Sequence, residues 1–193
     1  MIDTLLEIYD LKDEKRTGWQ LRNIEDPESV AAHSWGVAFL ALNYMPDDLD
    51  SEKVLKLAVI HDIAEAEVGD IAKRAVDVEN KISEEEKEEL ERAKAEDYSE
   101  QLGRFVSDNW KEYQERNTEE ARFVKDIDLI DMCLQALKYE KQQRYDPEEE
   151  NKNFQQYENM DEFFATTKPR LNTEKGKKLF QEIQGRYKEV KKS

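Results

Sequence analysis

The chain has 193 residues, 38% hydrophobic and 39% charged, with only 6 Gly and 4 Pro, which predicts one helix-rich domain whose outer faces are densely charged. Forty-six acids against 30 bases give a formal charge of -16, which repels nucleic-acid backbones and anionic membranes and excludes both as partners. No run approaches the ~20 apolar residues of a membrane span, the N-terminus lacks the basic and apolar regions of a signal peptide, and the single Cys133 predicts a buried, inert thiol in a reducing cytoplasm.

Ile2, Leu5, Leu6, Ile8 and Tyr9 recur at helical spacing, and the charged Lys12 to Arg16 stretch ends this first helix. Arg16 to Asn23 reads as a polar loop. With Gly18, Trp19 and the guanidinium groups of Arg16 and Arg22, it suits either a grip on a small anion or a surface loop with one Trp tucked under it. Asp26-Pro27-Glu28 supplies an N-cap, a Pro at the first helical position and a first-turn acid, so the next helix is expected over about 27–44. Val30, His33, Val37, Leu40, Ala41 and Tyr44 share one of its faces, which turns His33 into the core.

A helix over about 51–67 then places Leu57, Ala58, His61 and Glu65 on one inward stripe. The chain has only two histidines, both in apolar patterns where an unpaired imidazole is costly. A lone core histidine is more often a hydrogen-bonded structural residue than a ligand. The adjacent His61-Asp62 pair shifts the reading toward metal, because neutral imidazole plus carboxylate is the ligand set of a divalent transition ion such as manganese or cobalt. Neighbours on a helix project about 100° apart, so spacing alone does not establish that His61 and Asp62 converge.

Gly69 ends the helix and leaves Asp70 at the start of a turn. Ser83 to Glu86 forms a capping box, and the Glu/Lys-rich run to about Leu102 reads as solvated charge without function. Phe105, Val106, Trp110 and Tyr113 resume helical spacing. A helix over about 118–144 carries an apolar stripe of Ile127, Ile130, Leu134 and Leu137 beside Val124, Asp128, Asp131 and Gln135. Asp128, flanked by apolar residues, is expected to be buried against a cationic partner, Asp126 to face solvent, and Asp131 to stand behind the site. Phe154 to Phe164 marks a packed segment, and Thr173 caps a last amphipathic helix.

His33, His61-Asp62 and Asp128 have the order H…HD…D, and this arrangement resembles the HD-domain metal-dependent phosphohydrolases. Arg16-Thr17-Gly18-Trp19, Arg22-Asn23, Glu28-Ser29-Val30, His61-Asp62-Ile63-Ala64-Glu65, Gly69-Asp70-Ile71 and Val124 to Asp128 are similar to the 5'-deoxynucleotidase branch. The resemblance implies an all-α fold, a single HD-domain helical bundle over residues 1–193, with its metal-site core at about 16–145. It implies one divalent ion on His33, His61, Asp62 and Asp128. Glu65 and Asp70 would assist catalysis, Arg16 or alternatively Arg22 would grip the phosphate, and Trp19 would lie against the sugar.

The expected activity is hydrolysis of deoxynucleoside 5'-monophosphates to deoxynucleosides and phosphate. An HD-type enzyme acting on a nucleoside triphosphate or an alarmone would need more cations than Arg16, Arg22 and Lys73, and a non-catalytic helical module with a structural metal would have no use for Glu65 and Asp70. The apolar content of the helices after Gly103, together with the resemblance, suggests a homodimer.

Overall fold

The computed structural model describes residues 1–72, 74 and 83–192, and among them ten α-helices and no β-strand. These are α1 (Ile2–Tyr9), α2 (Thr17–Leu21), α3 (Val30–Tyr44), α4 (Ser51–Ile60), α5 (Glu65–Val68), α6 (Glu84–Leu102), α7 (Phe105–Glu115), α8 (Glu119–Gln142), α9 (Asp161–Thr167) and α10 (Glu174–Val190). Lys73 lies outside the described residues. No helix among those described is long and apolar enough to cross a membrane.

Helix α8 is the axis, packed by α3, α4, α7, α9 and α10. Phe123, Val124, Ile127, Leu129 and Ile130 are all buried, so this helix is enclosed on most sides, and its polar residues must find partners inside the fold. Asp126, expected at the surface, is fully buried. Its carboxylate accepts from the backbone N–H of Asn172 at 2.8 Å and of Thr173 at 2.7 Å. That acid ties the N-terminus of α10, capped by Thr173, to the central helix. Leu134, placed in the buried stripe by its spacing, is exposed.

Three local expectations are corrected. Helix α3 begins at Val30 behind the Ser29 N-cap rather than at Pro27, because Glu28 and Ser29 are extended against Lys15 and Arg16. The backbone bonds Arg16 N–H to Glu28 O and Val30 N–H to Glu14 O outweigh the Asp26-Pro27 signal. The expected loop over 16–23 contains α2. The expected helix over 51–67 stops at Ile60: Ile63 N–H bonds Ile60 O and Glu65 N–H bonds Asp62 O, which tightens residues 61–64 into turns before α5. Gly69, with φ +80°, ends α5 in a conformation that suits glycine.

Exposed apolar side chains are concentrated before Gly103 rather than after it. Ile2, Leu6 and Tyr9 stand out from α1, and Trp35, Phe39 and Leu42 from the outer side of α3.

Candidate functional site

The buried face of α3 delivers His33 and the end of α4 delivers His61, and the two rings meet edge to face with their Nε2 atoms 3.3 Å apart. Each ring is fixed from behind. His61 Nδ1 lies 2.8 Å from Ala58 O, which can only accept, so Nδ1 carries the proton. His33 Nδ1 lies 2.8 Å from Asp131 Oδ2. Gly36 makes that contact possible, since a Cβ there would stand 2.3 Å from Asp131 Oδ1.

With both Nδ1 atoms acting as donors, two neutral rings would point lone pairs at each other across that gap. A cation resolves the conflict. The turn after Ile60 lets the adjacent Asp62 converge where a continuing helix would not: its Oδ2 is 3.2 Å from His61 Nε2 and 3.6 Å from His33 Nε2. Asp128 Oδ1 is 3.2 Å from His33 Nε2. Neighbouring ligands of an ion with bonds of about 2.0–2.1 Å stand about 3–3.4 Å apart; three of these four spacings fall in that range, and the 3.6 Å one lies just beyond it. His33, His61 and Asp62 form one group of converging donors able to hold a divalent ion, and Asp128, the fourth expected ligand, stands outside that group and meets it at His33 Nε2. Glu28, His33 and Asp131 form another, but Asp131 Oδ2 is already bonded to His33 Nδ1.

Charge in the cluster follows the same geometry. Burial and Arg16 oppose protonation of His33, but Asp128 and Asp131 outweigh them and hold it up to about 10. Burial opposes ionisation of Asp62, yet His61, His33 and Arg16 keep its carboxyl below the usual range. Asp128 is likewise held down, against burial, by Lys125 and His33. Lys125 Nζ sits 2.7 Å from Asp128 Oδ2, and the Tyr113 hydroxyl donates to the same oxygen at 2.6 Å. Neither Tyr113 nor Lys125 stands out as a site residue in the sequence, although Lys125 precedes Asp128 by one helical turn.

Glu65 is buried, and burial followed by the charges of Asp62 and Asp70 raises it well above the usual carboxylate range. Its Oε2 has no hydrogen-bond partner among the described residues. Asp70 is anchored at the start of α2, where its Oδ2 accepts from Thr17 N–H and its carbonyl accepts from the Thr17 hydroxyl at 2.6 Å. Arg16 Nη1 lies 3.2 Å from Asp62 Oδ2. Arg16, Trp19, Asp62, Glu65, Asp70 and Asp128 all line one cavity of about 270 Å³, near the lower end of the usual size for a small-molecule site.

Trp19 is also a core residue. Its indole N–H donates to Glu28 Oε1 at 2.9 Å, and its ring packs against Tyr139 and Phe163. Arg22 is not brought to the cavity. It is buried, with its Nε donating to Asn159 O at 2.9 Å and its guanidinium 3.9 Å from the Tyr145 ring. The cavity has more cations than the expected Arg16: Lys87, Lys125, Arg74, Arg116 and Arg170 also line it. Most face an acid already, as Arg74 does in its paired 2.7 Å contacts with Glu162.

The family model described as HD domain matches residues 8–172. The mouse 5'-deoxynucleotidase HDDC2 is 38% identical over 130 residues, covering 67% of this chain and 65% of that protein. The Xenopus laevis 5'-deoxynucleotidase HDDC2 is 40% identical over 134 residues, covering 67% and 64%. The match thus spans just under two thirds of the length of these relatives. A crystal structure of a Pyrococcus horikoshii protein has a TM-score of 0.72 at 29% identity, covering 97% of this chain and 99% of that one.

Proposed function

Because the chain belongs to the HD-domain family, we propose that it is a metal-dependent phosphomonoesterase that converts deoxynucleoside 5'-monophosphates to deoxynucleosides and phosphate. The observation that carries this reading is the pair of opposed Nε2 atoms of His33 and His61, flanked by Asp62 and Asp128; both of these acids line the cavity that Glu65 also lines, and Glu65 Oε2 has no hydrogen-bond partner among the described residues. Relatives named 5'-deoxynucleotidase support the substrate class.

In this reading His33, His61, Asp62 and Asp128 hold one divalent ion, manganese, cobalt or another transition metal. When bound, such an ion supplies Lewis acidity, which lowers the pKa of a water and offsets phosphate charge. Arg16, at the edge of the ligand cluster, meets a phosphate oxygen. Glu65 takes the proton of the attacking water through its open Oε2, and Asp70, held at Thr17, serves the leaving 5'-oxygen. The buried Trp19 forms the wall against the sugar.

A nucleoside triphosphate is the second reading, favoured by Arg116 and Arg170 on the cavity lining. A phosphate-release screen of purified protein over nucleotides with Mn, Co, Mg, Ni and Zn tests both; no release from any nucleotide with any ion would refute both.

A homodimer belongs to the same proposal, formed through the outer side of α3, where Trp35 and Phe39 stack with centroids 5.4 Å apart and Leu42 continues the exposed face. Light scattering checks it, and a monomer at micromolar concentration would refute it. A cytoplasmic location is proposed on the single Cys133, which leaves the chain without an internal disulfide.

A further inference from the structure

Glu65 is held from a helix that the sequence marks only as solvated charge. Lys87, near the N-terminus of α6, points its ammonium inward, with Nζ 3.2 Å from Glu65 Oε1, 3.2 Å from Glu91 Oε1 and 3.4 Å from Ile71 O. Of the three N–H donors of this ammonium, one bonds Glu65 Oε1 and one the Ile71 carbonyl, while Glu91 adds an ion pair. The side chains of Lys87 and Glu65 are 22% and 6% exposed, so this is no solvated surface pair of the kind that contributes little.

Two consequences follow from the geometry. One carboxylate oxygen of Glu65 is engaged, which leaves Oε2 as the oxygen without a partner among the described residues. The same ammonium holds both ends of the stretch 65–71, which carries both acids, and ties it to α6. Glu65, Asp70, Ile71 and Lys87 all line the cavity.

We propose that Lys87 is a positioning residue of the reaction: it pins Glu65 by Oε1 so that Oε2 faces the reacting groups, and through the Ile71 carbonyl it keeps Asp70 at the cavity wall. This rests on the phosphomonoesterase reading for its kinetic consequence, but the tether itself does not depend on that reading.

The test uses Lys87→Met and Lys87→Arg in the full chain. Hydrogen exchange of the amides of residues 65–72, in protein as purified, is expected to speed up by about tenfold or more in Lys87→Met, with α3 and α8 unchanged, as local opening loses its restraint. Unchanged exchange in 65–72 would overturn the tether whatever the activity. With deoxynucleoside monophosphate, Lys87→Met is expected to lower kcat by about 10²-fold at nearly constant KM and metal content, the scale of a misplaced catalytic group. Lys87→Arg should retain more turnover because it keeps a donor to Glu65. In a Glu65→Gln background, Lys87→Met should add little further loss, since the pair acts as a unit. A raised KM with unchanged kcat would make Lys87 a phosphate contact instead, and full additivity with Glu65→Gln would make it merely structural; either result overturns the proposal. Absence of phosphate release from the unmodified protein would refute the phosphomonoesterase reading and leave the exchange result to decide the tether.

Discussion

His33 and His61 face one another through Nε2 atoms 3.3 Å apart while the Nδ1 of each is held by an acceptor behind it. Either a proton or a metal ion resolves that confrontation, and the two compete. The folded pKa of His33, about 10, lies above its ordinary 6.5. Protonation therefore stabilises the metal-free fold fully below about 6.5, and this contribution is lost as pH rises through about 10. Melting temperatures with and without Mn or Co should diverge as pH rises over that window, because the ion replaces the departing proton. Parallel curves would contradict the account.

Gly36 and Asp131 form the support of His33. Gly36→Ala would drive a Cβ into the Asp131 carboxylate, and Asp131→Ala would remove the acceptor at His33 Nδ1. Both should weaken metal binding by about 10- to 100-fold while the helical signal persists. Calorimetric titration of the ion measures this, and unchanged affinity in Asp131→Ala would remove it from the site.

Glu65→Gln and Asp70→Asn should keep metal content and lose kcat by about 10² or more. Elemental analysis beside steady-state kinetics separates the two effects. A Glu65→Gln protein with near-normal turnover would exclude this acid from the chemistry.

Trp19 is 1% exposed and carries core packing as well as the cavity wall, so Trp19→Ala is expected to cost about 3–5 kcal/mol of stability. Trp19→Phe keeps most of the packing and loses the N–H donated to Glu28. It should remain folded and relax the preference for deoxyribose over ribose. A folded Trp19→Phe with unchanged sugar preference would show that the indole does not set it.

The helices and the inward direction of His33 and His61 were legible because apolar spacing reports burial directly. The break after Ile60 was not, since residues 51–67 contain neither Gly nor Pro and the stop is made by backbone bonds within the turn. Asp126 was misread because its partners, Asn172 and Thr173, are 46 and 47 residues away. Arg22 looked like an anion grip in sequence, but the ring of Tyr145 and the carbonyl of Asn159 draw it into the fold. Lys87 was hidden in a Glu/Lys-rich helix, where composition signals solvent and only the packing of α6 against α5 distinguishes one lysine from its neighbours.

The central claim is decided most directly by comparing kcat/KM for dAMP, AMP and dATP in purified protein loaded with Mn or Co, with a chelator control. A 5'-monophosphate carries about 1.5 to 2 negative charges near neutral pH, which suits one divalent ion and Arg16, and in the proposed reading Trp19 would leave a 2'-hydroxyl without room or a partner. The predicted result is deoxyadenosine and phosphate from dAMP, at higher kcat/KM than from AMP or dATP, abolished by the chelator and by Asp128→Ala. Faster turnover of dATP than dAMP, or no phosphate from dAMP with either ion, would contradict the account.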